Sequence, residues 1–162
     1  MEINGLIVTL SKEIKLLIGA FIIVLSIGFY TGLLFVGETS SVNPSGIEEQ
    51  YLGNEDDENA EVMRFKKSDQ EMLSLVHSHI LSMSIIFFLV GGLISITNLN
   101  KKLQLFLIIE PFVSVVLTFG GLYLLWSGML WMKYIVMFSG ILMTLTFTAS
   151  TFIILKQLFQ KA

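Results

Sequence analysis

The chain contains no cysteine among its 162 residues. Disulfides, thiolate zinc sites, iron–sulfur clusters and a lipid-modified N-terminal cysteine are therefore excluded. Histidine is almost as scarce, with two residues, so any metal site must combine imidazole with carboxylate, methionine or carbonyl ligands. The catalytic patterns GxSxG, P-loop, GxGxxG and HExxH are also missing. We therefore expect a protein that is not an enzyme.

Charged residues are also scarce. Charged residues make up 14% of the chain and hydrophobic residues 54%, with a mean hydropathy of +0.78. An ordinary soluble domain carries about 25% charged residues. The net charge of −3 and the scattered positions of lysine and arginine provide no basic groove, which excludes nucleic-acid binding. The composition indicates an integral membrane protein.

Long apolar runs account for most of the chain. A helix needs about 20 apolar residues to cross about 30 Å of hydrocarbon. Residues 16–36, 73–97, 103–126 and 134–155 meet this length. We therefore predict an all-α integral membrane protein, an antiparallel four-transmembrane-helix bundle, with residues 1–162 in a single membrane domain.

The distribution of basic residues predicts the orientation in the membrane. Six basic residues flank the spans on one side, and four lie on the other. The six are Lys12, Lys15, Lys101, Lys102, Lys156 and Lys161. Because basic residues concentrate on the cytoplasmic side, both termini are expected in the cytoplasm, with residues 37–71 outside the inner membrane in a periplasmic loop.

The 37–71 loop is the large polar segment. It holds ten acidic and three basic residues, for a formal balance of −7. The turn-forming run NPSG predicts an irregular segment with one short helical turn at residues 47–52. Ser68, followed three residues later by Glu71, has the spacing of a capping box, so the second long helix should begin near Asp69.

The two histidines, His77 and His79, lie at the start of the second span. Two residues of helix turn the chain by about 200°, so the two rings cannot chelate one ion. Small polar residues follow His77 at helical spacing, which predicts that His77 faces the bundle interior. His79 should then face a neighbouring helix, a partner subunit or lipid headgroups. Interfacial hydrogen bonding, metal or haem ligation and proton handling all remain open.

A metal site would join these histidines to loop carboxylates, which suit a divalent cation. The candidate ligands are His77, His79, Glu48, Glu49, Asp56 and Asp57. A haem would need a second axial ligand, for which Met129 and Met132 are available. Because both histidines lie on one helix, haem is not expected without a partner subunit or a homodimer.

Glu110 lies within the third span, about 10–12 Å from the start of that span at Leu103. A charge at that depth is costly, so the side chain should be protonated or paired and should face inward. Pro111 removes an N–H, which frees a carbonyl one turn earlier and can kink the helix. Glu110 could hydrogen-bond Ser or Thr across a helix interface, or it could couple proton or ion movement.

The outer loop contains the pattern Gly-Ile-x-x-x-Tyr-x-Gly, which we call the loop element, and helix two begins with His-x-His. The residues are Gly46, Ile47, Tyr51, Gly53, His77 and His79. This combination resembles a family of uncharacterised small bacterial four-helix inner-membrane proteins. The resemblance implies that the loop and the histidines belong to one site, and it implies no activity.

We therefore predict a non-enzymatic membrane protein, an accessory subunit or binding module of an envelope complex. The acidic loop and His77/His79 would form an outer-face site for a partner or metal. The alternatives are a small proton- or ion-coupled transporter or channel that uses Glu110, and a haem- or quinone-linked redox subunit. The expected partners are the lipid bilayer and other membrane subunits or further copies of the chain.

Overall fold

The structure is a computed structural model that describes residues 4–40, 43–55 and 62–160, without the side chains of residues 39 and 40. Within these ranges the chain is helical and contains no strand. The helices are α1 (Leu6–Thr9), α2 (Lys12–Ser40), α3 (Pro44–Leu52), α4 (Asp69–Ser95), α5 (Lys101–Val115), α6 (Gly121–Trp126) and α7 (Met132–Leu158). A short π-helix, Val116–Gly120, joins α5 to α6.

Four helical segments are long and apolar enough to cross a membrane. They are Lys12–Glu38, Asp69–Ser95, Lys101–Trp126 and Met132–Leu158. At 1.5 Å per residue each extends about 40 Å, which exceeds the hydrocarbon thickness of about 30 Å. The four predicted spans are confirmed, and their ends differ from the predicted ends by no more than four residues. Short turns at residues 96–100 and 127–131 make the last three spans antiparallel.

Side chains that satisfy free backbone N–H groups determine where α3 and α4 begin. The Glu71 carboxylate accepts a hydrogen bond from the Ser68 backbone N–H at 2.8 Å, and Ser68 Oγ accepts from the Glu71 N–H at 3.4 Å. This is the predicted capping box, and α4 begins at Asp69 as expected. The predicted turn at 47–52 belongs to the longer α3, because Asn43 caps its start and Pro44 suits the first helical position.

The membrane core is built where α4, α5 and α7 pack on one another, and α2 packs on the side of α7. An aromatic cluster joins three of these helices. The Phe147 ring stacks on Phe29 of α2, with ring centres 3.9 Å apart, and meets Phe87 of α4 edge-on at 6.3 Å. The Tyr30 hydroxyl lies 2.8 Å from the Thr148 hydroxyl and adds a polar contact between α2 and α7.

Helix α5 continues through Pro111, which donates no backbone hydrogen bond, and a π-helix follows at Val116–Gly120. We call the end of the bundle that carries α3 and the 127–131 turn the loop end. At the opposite end α1 lies against the 96–100 turn, where the Ile7 N–H donates to the Ile96 carbonyl at 3.1 Å. The Gln157 side chain also bonds both the N–H and the carbonyl of Asn98. These contacts connect the first and last helices to the turn between α4 and α5.

Candidate functional site

The loop end is covered by α3, Gly53–Asn54 and residues 62–67, which together we call the loop cap. The Asn54 N–H donates to the Arg64 carbonyl at 3.0 Å, and the Asn54 side-chain oxygen accepts from the Arg64 N–H at 2.7 Å. The Lys67 N–H donates to the Tyr51 carbonyl at 3.2 Å. The two described parts of the polar loop therefore lie side by side, joined through their backbones.

The loop cap is attached to the ends of the third and fourth spans. Lys133 pairs with Glu48 at 2.5 Å, and both side chains are partly shielded from solvent. The Trp126 indole N–H donates to the Lys67 carbonyl at 2.8 Å. The Lys66 ammonium lies 5.1 Å from the centre of the Trp126 ring, within the range of a cation–π contact. Trp126 therefore connects the cap to the membrane surface, where aromatic rings are favoured.

One of the two glycines of the loop element, Gly53, has a conformational role. Gly46 is buried in the first turn of α3, and its N–H donates to the Asn43 side chain at 2.6 Å. Gly53 ends α3 with a φ of 84°, and a Cβ there would lie 2.8 Å from Arg64 O and Lys66 N. Only glycine fits this second position without strain, because both neighbours are backbone atoms.

Ile47 and Tyr51, the other two residues of the loop element, anchor the loop cap by burial. Both are partly buried and pack against the hydrophobic core. Burial raises the pKa of the Tyr51 phenol above its ordinary value of 10.0, because the low-dielectric surroundings disfavour the phenolate. The loop element therefore has a structural role, carried by Ile47, Tyr51 and Gly53.

His79 faces a neighbouring helix, which is one of its predicted directions. Its ring centre lies 4.8 Å from that of Phe119 in the π-helix. Its Nδ1 lies 2.9 Å from the Leu75 carbonyl, so an Nδ1–H donates one turn back along α4. Nε2 is then the ring atom available to act as an acceptor or a ligand.

His77 is exposed on the other side of α4, so the prediction that it faces the bundle interior is wrong. The buried stripe of α4 contains Met72, Phe87, Val90 and Ile94, and these bulky side chains select the inward face. Ser95, one of the small polar residues that follow His77 at helical spacing, does not require an inward position, because its hydroxyl donates to the Gly92 carbonyl of its own helix at 2.6 Å. Two serines closer to His77 do the same: Ser78 donates to the Leu75 carbonyl at 3.1 Å, and Ser82 to the His79 carbonyl at 3.3 Å.

The predicted metal ligands do not converge within the described part of the chain. His77 and His79 lie on different sides of α4, and Glu48 is paired with Lys133. Glu49 is exposed on α3. Residues 4–40, 43–55 and 62–160 contain no group of three or more His, Cys, Asp or Glu placed to hold a metal ion. The predicted ligands Asp56 and Asp57 lie outside the described residues.

Glu110 faces inward, as predicted, and is 8% exposed. The Ser114 hydroxyl, one turn along the same helix, donates to its Oε1. This bond lies within α5. The structural role considered for Glu110 was a different one, a hydrogen bond to Ser or Thr across a helix interface. The cross-helix hydroxyl contact is made two turns away by Thr118 and Ser139, whose oxygen atoms lie 2.8 Å apart.

The sequence did not lead us to three buried hydroxyl groups of α7, which belong to Ser139, Thr146 and Ser150. The spacing of residues along α7 did contain a signal for the buried face. Positions 132, 136, 139, 143, 147, 150, 154 and 158 recur at three- and four-residue intervals, and all are buried. Because both faces of α7 carry apolar and hydroxyl side chains, composition alone does not distinguish the buried face.

Comparison with known protein families shows a match between residues 41–162 and a family described as a transmembrane helical domain. The match takes in the loop cap and the last three spans. No curated protein and no solved structure matches the chain. Because the family match covers well over half of the chain and the structure has four membrane-length helices, this multi-pass membrane protein belongs to the Aq_1264_TM family of transmembrane helical domains.

Proposed function

We propose that this protein is a non-enzymatic subunit of a membrane complex, and that the face of α4 carrying His77 binds a helix of another membrane subunit. One observation carries the proposal. The His77 ring is exposed on the outside of the bundle, and no hydrogen bond joins it to another residue of the described chain. His77 lies about 27 Å along the helix from Ser95, near the edge of the hydrocarbon. A partner helix would supply the hydrogen bond that lipid chains cannot.

The surface around His77 has the form of a helix-docking face. Exposed residues recur along α4 at three- and four-residue intervals, and we call them the docking face: Ser74, His77, Leu81, Ile85, Phe88 and Gly92. Small residues stand at both ends of this face, where they allow close approach of a second helix. A Cβ built on Gly92 meets no atom within 4 Å.

A cleft between α4 and α5 adds depth to the same face. It has a volume of about 220 Å³ and is lined by Phe88, Gly92, Ile108 and other mainly apolar residues. Its position beside Gly92 offers room for an apolar side chain of the second helix. The docking face therefore combines a hydrogen-bonding group at the loop end with a cleft nearer the opposite end.

We further propose that the loop end lies outside the cell inner membrane, with both termini in the cytoplasm. The six-to-four distribution of basic residues between the two sides supports this orientation. His77 would then contact the partner at the outer face, beside the loop cap. The loop cap would contribute a rigid surface next to the docking face, since Trp126 and Lys133 attach it to the bundle.

His77→Ala is expected to lower recovery of the partner subunit about three- to tenfold, the effect of losing one hydrogen bond between membrane helices. The measurement is co-purification in mild detergent, with the bound membrane protein identified by mass spectrometry. Gly92→Leu should also lower recovery, because its side chain would obstruct the cleft.

The matched control is His79→Gln, which changes the histidine that packs on Phe119 and leaves the docking face intact. Equal recovery of the partner with wild type, His77→Ala and Gly92→Leu would contradict the proposal. If native mass spectrometry shows only a second copy of this chain, the docking face forms a homodimer and does not bind a different subunit.

A second function, proton- or ion-coupled transport, is favoured by the buried position of Glu110. One of its carboxylate oxygens has no hydrogen-bond partner in the described part of the chain. If Glu110 couples transport, Glu110→Gln should abolish proton or ion flux into liposomes, whereas Glu48→Gln in the loop cap should leave it unchanged. Normal flux through Glu110→Gln, or no flux through the wild-type protein, would remove this function.

A further inference from the structure

Two buried side-chain oxygens have no hydrogen-bond partner in the described part of the chain: Glu110 Oε2 and Ser150 Oγ. Glu110 is 8% exposed and Ser150 is 1% exposed. A buried polar atom without a partner costs about 1–3 kcal/mol, so native proteins contain few of them. The two atoms lie on α5 and α7, which pack together.

The two atoms lie at nearly the same depth in the membrane. The contact between Thr118 and Ser139 sets the register of the third and fourth spans. Eight residues before Thr118 is Glu110, and eight residues after Ser139 on antiparallel α7 is Phe147. Ser150 lies three residues beyond Phe147, about 4.5 Å along the axis, which is less than one helical turn. Both residues are on the buried faces of α5 and α7.

Two hydrogen-bond acceptors at Glu110 and one turn before it are short of a donor: Glu110 Oε2 has none in the described part of the chain, and the Leu107 carbonyl lacks its regular helical one. Pro111 has no N–H for the Leu107 carbonyl, which would be its partner in a regular α-helix. Leu107 is itself buried. The Ser114 hydroxyl serves Oε1 and leaves Oε2 without a donor. An ionised carboxylate only accepts hydrogen bonds, whereas a protonated one donates through its own O–H.

No positive charge compensates an ionised Glu110 within the described residues. The ion pair found there, between Lys133 and Glu48, lies at the loop end. The buried polar side chains other than Glu110 are all serines and threonines, including Ser114, Thr146 and Ser150. Glu110 lies about 13 Å from the start of α5, inside the hydrocarbon, where an unpaired charge costs several kcal/mol.

We propose that Glu110 is a proton-binding site in the membrane interior, a neutral carboxylic acid whose Oε2–H donates across the α5–α7 interface to the Ser150 hydroxyl. The structure does not contain this bond, so the two side chains must rotate toward each other to form it. Once formed, the bond satisfies both unpartnered oxygens, and protonation removes the uncompensated charge. The inference deepens the second function by naming the proton as the bound ion. It does not depend on transport, because a carboxyl group can hold a proton without moving it.

Infrared spectroscopy of the protein in lipid nanodiscs at pH 7 tests the proposal. The wild-type protein should show the C=O stretching band of a protonated carboxylic acid, and the band should shift down in D₂O. Glu110→Gln should lose the band. Glu48→Gln, the matched control in the loop cap, should retain it. Ser150→Ala should keep the band but move it to higher frequency, because one hydrogen bond of the acid is lost.

Several outcomes would overturn the proposal. A wild-type spectrum without the band, or a Glu110→Gln spectrum that keeps it, would show that Glu110 is not the protonated group. An unshifted band in Ser150→Ala would contradict the hydrogen bond to Ser150.

A second measurement covers the case in which Glu110→Gln fails to fold. Wild-type protein is treated with a hydrophobic carbodiimide, which reacts with protonated carboxyl groups. Mass spectrometry should locate the adduct on Glu110, and adducts found only on other carboxyl groups would contradict the proposal. A wild-type protein that shows the band but no flux would remove transport and leave the proton-binding site in place.

Discussion

Gly53→Ala is expected to release the loop cap from the loop end of the bundle. Gly53 has a φ of 84° and a ψ of 174°, a backbone conformation that is essentially restricted to glycine. The strain costs about 1–3 kcal/mol at another residue. The added Cβ would also lie 2.8 Å from two backbone atoms, Arg64 O and Lys66 N, so no side-chain rotation relieves the clash. Two hydrogen bonds between Asn54 and Arg64 would be lost first: the one from the Asn54 N–H to the Arg64 carbonyl, and the one from the Arg64 N–H to the Asn54 side chain.

Limited proteolysis with trypsin measures this release, since Arg64, Lys66 and Lys67 all lie in the part of the cap that would open. A destabilisation of about 1.4 kcal/mol changes the open population tenfold, so cleavage should accelerate about tenfold or more. Gly28→Ala is the control, because a Cβ there meets no atom within 4 Å. Similar cleavage rates in the two variants would show that the cap does not depend on the conformation of Gly53.

Phe147→Ala is expected to destabilise the membrane core more than any other change considered for this chain. Phe147 is fully buried, and its ring contacts Phe29 of α2 and Phe87 of α4. Truncation leaves a cavity where three helices meet, and a buried Phe→Ala change costs about 3–5 kcal/mol in water-soluble proteins. The lower end of that range is expected in a membrane, because lipid is as apolar as the core and the loss comes mainly from packing.

The measurement is thermal unfolding in detergent, followed by the loss of helical signal. Phe152→Ala is the matched control, since Phe152 lies on the same helix and is 67% exposed. Its midpoint should stay close to that of the wild type, whereas that of Phe147→Ala should fall clearly. A midpoint that falls equally in both variants would show that the aromatic cluster does not stabilise the bundle. Separation of α2 from α7 should accompany unfolding, because the Phe29–Phe147 stack joins these helices.

Local features of the chain were predictable because they depend on neighbouring residues. The spans follow from the length of each apolar run, and four membrane-length helices are present. The beginning of α4 follows from the Ser68–Glu71 capping box. The helical turn in the loop was predicted but too short, since the N-cap Asn43 and Pro44 extend α3 to nine residues. In each case short-range hydrogen bonding or hydrophobic length decides the outcome.

The tertiary structure decided which sides of the helices face one another. The small polar residues that follow His77 predicted an inward His77. In the structure the bulky residues of α4 face inward, so that His79 lies against Phe119 and His77 is exposed. In a membrane the lipid-facing and protein-facing sides are both apolar, so hydrophobicity does not separate them.

The sequence by itself determined the membrane class, the four spans and the inward, costly position of Glu110. Only the tertiary structure decided that Ser150 of α7 lies at nearly the same depth as Glu110 of α5. It also decided that Trp126 and Lys133 hold the loop cap on the bundle. The physical reason is that crossing the membrane depends on the length and composition of one segment, whereas these contacts depend on the packing register between segments far apart in the chain.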